Sequence, residues 1–242
     1  MLTAQHNRIE HAETLAPLGD AVQVVLATLK QRMDVATTSS PAPPPAADTD
    51  TRERRDRFQR TLRLPPRYAQ ASLTDLIASD GNRTALRAAA AFITAPASCR
   101  GIVFSGPPGT GKTHMAAAIG RDLVRCGQTV QWWTVSDWLT ALRSRIERGG
   151  DTTELLRQTS QTPYLILDDL GQERVTDWVR STLYELINYR YNYVLPIILT
   201  TNKSLDELDT QIGAPIVSRI VGMCDVIAVR DRDARFENID NF

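Results

Sequence analysis

Apolar side chains recur between residues 9 and 33, at Ile9 and then at Leu15, Leu18, Val22, Val25, Leu29 and Met33. Steps of three and four residues from Leu15 onward lay one stripe along a helix. Pro17 fits the first turn of such a helix and not its middle. Residues 37–48 then change character, to Thr, Ser, Pro and Ala. That composition cannot build a packed core and reads as a semi-extended linker. Beyond residue 64 helical and strand-like patterns alternate. The pattern predicts helices at 82–94, 112–125, 137–148, 151–158 and 176–191, and strands at 102–104, 129–135, 164–167, 195–199 and 225–229. Ser136 or Asp137 is expected to cap the third of those helices, and Asp151 the fourth. Strands alternating with helices imply an α/β fold, a parallel sheet wrapped on both faces.

Composition narrows the picture. The chain has 242 residues, 42% of them apolar, and a formal net charge of zero. Length allows one α/β domain with an appendage, and nucleic acid could be held only by a local patch. Seven arginines against Glu53 and Asp56 make 52–67 such a patch; a solvated helical face explains it equally well. Cys99, Cys126 and Cys224 lack metal-ligand spacing, which favours free thiols in a reducing compartment. The N-terminus lacks a secretory pattern, and no apolar run approaches the ~20 residues of a membrane span. A cytoplasmic protein without membrane contact is expected.

The sharpest signal is Gly106-Pro107-Pro108-Gly109-Thr110-Gly111-Lys112-Thr113, between a predicted strand and a predicted helix. The glycines admit backbone angles that let amides converge on phosphates, and the helix N-terminus adds partial positive charge. Lys112 can reach the outer phosphates, and the Thr113 hydroxyl can ligate Mg²⁺. The expected ligand is therefore a nucleoside triphosphate with its metal.

Three later segments say what happens to it. An apolar strand ends in Asp168 and Asp169. The first carboxylate can hold Mg²⁺; the second can polarise an attacking water, with Glu173 a weaker alternative. Asn202 directly follows the fourth strand and can hold the water or the γ-phosphate, unless it merely caps the next helix. Arg219, on a short helix before the last strand, can reach the nucleotide of a neighbouring copy, or make a surface salt bridge. Arg235 is a candidate for the γ-phosphate in cis.

These segments, with TVSDWLTAL at 134–142, LPPRY at 64–68, GPPGTGKTH at 106–114, LILDDLGQE at 165–173, TTN at 200–202 and VSRI at 217–220, resemble the AAA+ ATPase module of DnaC-type helicase loaders and of IS21-type transposition helpers. The resemblance covers 65–236. It implies a P-loop NTPase with a five-stranded parallel sheet and a reduced or absent C-terminal lid. It makes Gly106–Thr113 Walker A, extended by His114, and Asp168 and Asp169 Walker B. It makes Asn202 sensor 1, Arg219 the arginine finger and Arg235 sensor 2. ATP and Mg²⁺ are the implied cofactors, with slow hydrolysis because many relatives place Glu where Asp169 stands. In the initiator-like branch the element after the second strand contacts single-stranded DNA, which makes Arg143, Arg145 and Arg148 candidates here. Trp132, Trp133 and Trp138 could stack on bases, but strand tryptophans are more often core. Three parts are expected: a helical partner-binding arm at 1–36, a Pro- and Arg-rich linker at 37–63, and the ATPase domain at 64–242. The leading expectation is a loader whose arm grips a hexameric replicative helicase; the alternative is an ATP-binding helper of a transposase. A metabolic P-loop kinase fits less well, given Asn202 and the Ser218-Arg219 segment.

Overall fold

The computed structural model describes residues 62–96 and 100–230. The expected arm at 1–36, the linker up to residue 61, Cys99 and the tail with Arg235 lie outside the described residues. The lid expectation falls on that same tail.

The described chain leads in through two single 3-10 turns, Pro66–Tyr68 and Leu73–Asp75. Ser72 and Asp75 cap the second reciprocally, each bonding to the other's end of the turn. Then follow α1 (Arg83–Thr94), β1 (Gly101–Ser105), α2 (Lys112–Arg125), β2 (Val130–Thr134), α3 (Val135–Glu147), α4 (Thr153–Gln161) and β3 (Tyr164–Leu170). The order continues with α5 (Asp177–Asn192), β4 (Ile197–Thr201), α6 (Leu205–Ile212), α7 (Ala214–Met223) and β5 (Cys224–Ala228). None of these helices is long and apolar enough to cross a membrane.

The five strands form one sheet in the order β2-β3-β4-β1-β5, every neighbouring pair parallel. Because β4 stands between β1 and β3, the residues that follow β1, end β3 and follow β4 share one edge. That is the carboxyl edge, where open α/β sheets bind ligands.

Alternation along the strands divides the core. Val103, Leu165, Leu167, Ile197 and Leu199 pack with Trp138, Leu183, Ile187, Ile216 and Ile220 on one face. Ile102, Phe104, Ile166 and Ile198 occupy the alternate positions and are equally buried. On that side α2 lies tight against β3. A Cβ on Gly120 would sit 2.6 Å from the Ile166 Cδ1, so glycine sets how near the helix comes. Closeness matters, because the first turn of α2 carries Lys112 and Thr113.

Several boundaries differ from the pattern. Thr134, not Ser136 or Asp137, caps α3, its hydroxyl accepting from the Asp137 amide at 3.1 Å. The hydroxyl of a residue still in the strand reaches the amide three positions on, so the helix starts earlier. β4 begins at Ile197 and not at Leu195. The Leu195 amide is already spent on the Arg190 carbonyl, closing the end of α5, and Pro196 has no amide to pair. The N-cap of α4 is Thr152 and not Asp151, which stands one residue earlier and accepts from the Thr153 amide at 2.7 Å.

Candidate functional site

The loop after β1 is built by backbone angles that a side chain would strain. Gly106 has φ +156°, Gly109 +80° and Gly111 +88°. At Gly106 a Cβ would lie 1.9 Å from the Val229 carbonyl oxygen, and the Gly106 amide donates to Thr201 at 3.2 Å. Gly111 is the N-cap of α2. The amides of that helix's first turn have no intrahelical acceptor and suit an anion.

The loop encloses its own cation. Lys112 is only 4% exposed, and its Nζ donates to the Pro107 carbonyl at 2.6 Å and to the Thr110 hydroxyl at 3.5 Å. Thr110 donates to the same carbonyl at 2.9 Å. Pro108 completes the turn between them. An anion drawn into the loop meets a fixed ammonium.

The two aspartates sit on a bulge. β3 and β4 are in register at Leu167 with Leu199 and again at Leu170 with Thr201, so Asp168 and Asp169 together face Thr200. Such a two-against-one bulge re-aims side chains at a strand end. Asp169 takes φ +59°, the left-handed region, which costs a non-glycine residue energy and marks functional turns. Thr200 locks the arrangement: its hydroxyl donates to Asp168 Oδ1 at 2.6 Å and accepts from the Asp169 amide at 2.9 Å. Sequence pattern alone does not single out Thr200; a hydroxyl one residue before the strand's end, two before Asn202, is its only signal.

Thr113 donates to the same Asp168 oxygen at 2.9 Å. Neither hydroxyl touches Oδ2. Burial, which leaves Asp168 4% exposed, pushes its carboxyl up to about 6, and the nearby Asp169 charge adds to that; the two hydroxyls and Lys112 pull the other way. A buried carboxylate held by two hydroxyls is poised for a cation. The described residues contain no group of three ionisable ligands able to cage a metal by themselves. Thr113 and Asp168 offer a hydroxyl and a carboxylate oxygen, a donor set that suits Mg²⁺, which keeps several waters and takes phosphate oxygens as further ligands.

Other candidates fall in different places. Asn202 directly follows β4 and is half-buried. It is not the cap of α6: Ser204 is, with a reciprocal bond to Glu207. Glu173 is tied into the turn after β3, accepting from the Gly171 amide at 3.0 Å. His114 lies in the first turn of α2. Its Nε2 lies 2.8 Å from the Ser72 carbonyl and 3.3 Å from Asp75, so the imidazole joins α2 to the lead-in segment.

Arg219 lies on α7, against α5 of its own chain. Nε donates to Asn188 Oδ1 at 2.8 Å, Nη1 to the Pro215 carbonyl at 2.9 Å, and Nη2 to the Tyr184 hydroxyl at 3.0 Å. Among the described residues it forms no salt bridge.

Of the α3 arginines, Arg143 stacks on the Trp178 ring at 5.0 Å. Arg145 and Arg148 are exposed. Trp132 and Trp138 are core, the latter donating to Thr159 at 3.2 Å, and Trp133 is partly buried against the same core.

Comparison with known proteins agrees with this geometry. The family model for IstB-like ATP binding proteins matches residues 47–240. The chain is 29% identical to the replicative helicase loader DnaC of Escherichia coli over 49% of each chain. It is 34% identical to an insertion sequence IS5376 protein of Geobacillus stearothermophilus, over 48% of this chain and 46% of that one. The chain thus spans about half the length of these curated relatives. Among solved structures, a crystal structure of the DnaC helicase loader is matched with a TM-score of 0.63 and 31% identity. That match covers 68% of this chain and 99% of the other. The glycine turn, the enclosed lysine and the buried carboxylate at the sheet edge are thus found in a chain that belongs to the family of IstB-like ATP binding proteins.

Proposed function

We propose that this chain is an ATPase that uses the nucleotide state to load a replicative DNA helicase onto single-stranded DNA. The observation that most supports this reading is the match to the DnaC helicase loader, which extends over nearly all of that solved chain. The family model and the insertion-sequence relative support a second reading, an ATP-binding helper of a transposase.

Lys112 and the amides of the glycine turn bind the phosphates. Thr113 and Asp168 would hold Mg²⁺, which would supply positive charge to neutralise the phosphates. Asp169, on its bulge, accepts a proton from the attacking water, and Asn202 orients that water or the γ-phosphate. A carboxylate one methylene shorter than the Glu of many relatives holds the water less closely, so turnover is slow. Arg219 acts on the nucleotide of a second copy, and Arg235 on its own. Exposed Arg145 on α3 and Arg148 at its C-cap supply phosphate contacts to single-stranded DNA, with Arg143 held beside them by Trp178. The segment before residue 37 grips the helicase, and the protein works in the cytoplasm.

A pull-down tests the choice of partner. The full chain is expected to retain the replicative helicase in the presence of ATP and Mg²⁺, and to lose it when residues 1–40 are deleted. Retention of a transposase in its place establishes the second reading.

A further inference from the structure

We propose that Asn188 and Tyr184 are positioning residues for Arg219, holding its guanidinium ready for an anion brought by a second copy of this chain. The inference deepens, and rests on, the reading of Arg219 as a residue that acts in trans.

The spacing is the first support. Tyr184, Asn188 and Tyr191 stand four and then three residues apart on α5, along one helical face. Pro215 and Arg219 stand four apart on α7. The two faces meet at the guanidinium, which lies over the Tyr184 ring at 4.8 Å and the Tyr191 ring at 6.0 Å.

The bonding is the second. A guanidinium has five N–H donors in a rigid fork. The three bonds to Asn188, Pro215 and Tyr184 engage each nitrogen once. They fix the plane of the group and leave one N–H on each terminal nitrogen for an incoming anion. An arginine without such anchors loses rotamer freedom each time it binds.

The third is charge. Among the described residues every partner of Arg219 is neutral: an amide oxygen, a carbonyl, a phenol and two rings. A carboxylate in any of these places would anchor the side chain as well while cancelling the charge an incoming phosphate needs. Neutral anchors orient the cation and leave its charge for the phosphate.

The test has two readouts. In the nucleotide-free protein, ¹⁵N relaxation of the Arg219 Nε–H should show a rigid side chain. Asn188→Ala should make it mobile, with the backbone of α5 and α7 unchanged. In the self-assembled protein, Asn188→Ala and Tyr184→Phe should each lower kcat for ATP by on the order of 10-fold without changing ATP affinity. Neither should lower it further in an Arg219→Ala background. If Arg219→Ala itself leaves assembled hydrolysis unchanged, the trans reading fails, and the positioning role with it. If Arg219→Ala lowers hydrolysis but the Asn188 and Tyr184 variants do not, or their losses add to it, only the positioning role is overturned. A rise in hydrolysis on Asn188→Ala also overturns it, because the contact then restrains Arg219 instead of aiming it.

Discussion

The Thr113 hydroxyl, on the first turn of α2, donates to Asp168 Oδ1, near the end of β3, at 2.9 Å across 55 positions of sequence. The loop proposed to hold phosphate and the strand proposed to hold metal are thus joined directly by side chains. The junction depends on how close α2 lies to the sheet, and on the turn that launches it.

That turn has no tolerance for a side chain at its first residue. Gly106→Ala would place a Cβ 1.9 Å from a backbone oxygen, at φ +156°. The expected loss is several kcal/mol, read as a large fall in thermal midpoint. A variant with the wild-type midpoint would show that the loop sits elsewhere.

Asp168 links stability to pH. Its carboxyl ionises near 3.8 in the unfolded chain and at about 6 in the nucleotide-free fold. Between those values the fold holds more protons than the unfolded chain. The favourable contribution is therefore complete below the lower value and is lost as pH rises through the upper one. Near pH 7 the buried charge costs up to about 3 kcal/mol. Asp168→Asn should raise nucleotide-free stability by up to that amount at pH 7 and leave it nearly unchanged at pH 4. Denaturant unfolding at the two pH values checks this. Equal effects at both would contradict it.

Arg190 is a buried cation, fully inaccessible, that donates to the carbonyls of Thr159, Ser160, Thr162, Pro163 and Pro196. Burial pulls its pKa down to about 9. It ties the end of α4, the start of β3 and the approach to β4 to α5. Arg190→Met should cost at least about 3 kcal/mol, because it strips donors from buried carbonyls. Chemical denaturation measures the loss; a change under about 1 kcal/mol would mean that water or relaxation replaces those bonds.

The phosphate loop was legible because its chemistry is local: three glycines, a lysine and a threonine at fixed spacing between a strand and a helix. The apolar strands were legible for the same reason, and with them the parallel sheet. What pattern could not supply is non-local. Asp168 and Asp169 read as the end of a strand, but the bulge that turns them depends on Thr200, 32 and 31 positions away. Arg190 reads as one more charge on a helix, yet its acceptors lie mostly 27 to 31 positions off. His114 reads as part of the loop motif because it follows Thr113; the lead-in segment, 42 positions earlier, claims its ring.

Calorimetric titration with ATP, with and without Mg²⁺, tests the central claim that Lys112 grips the phosphates while Thr113 and Asp168 hold their metal. Mg²⁺ should tighten ATP binding to the wild-type chain. Asp168→Asn should remove that gain while keeping metal-free binding, and Lys112→Ala should weaken binding about 10- to 100-fold in either condition. An Asp168→Asn chain that still gains full affinity from Mg²⁺, or a Lys112→Ala chain that binds ATP as tightly as wild type, would contradict the account.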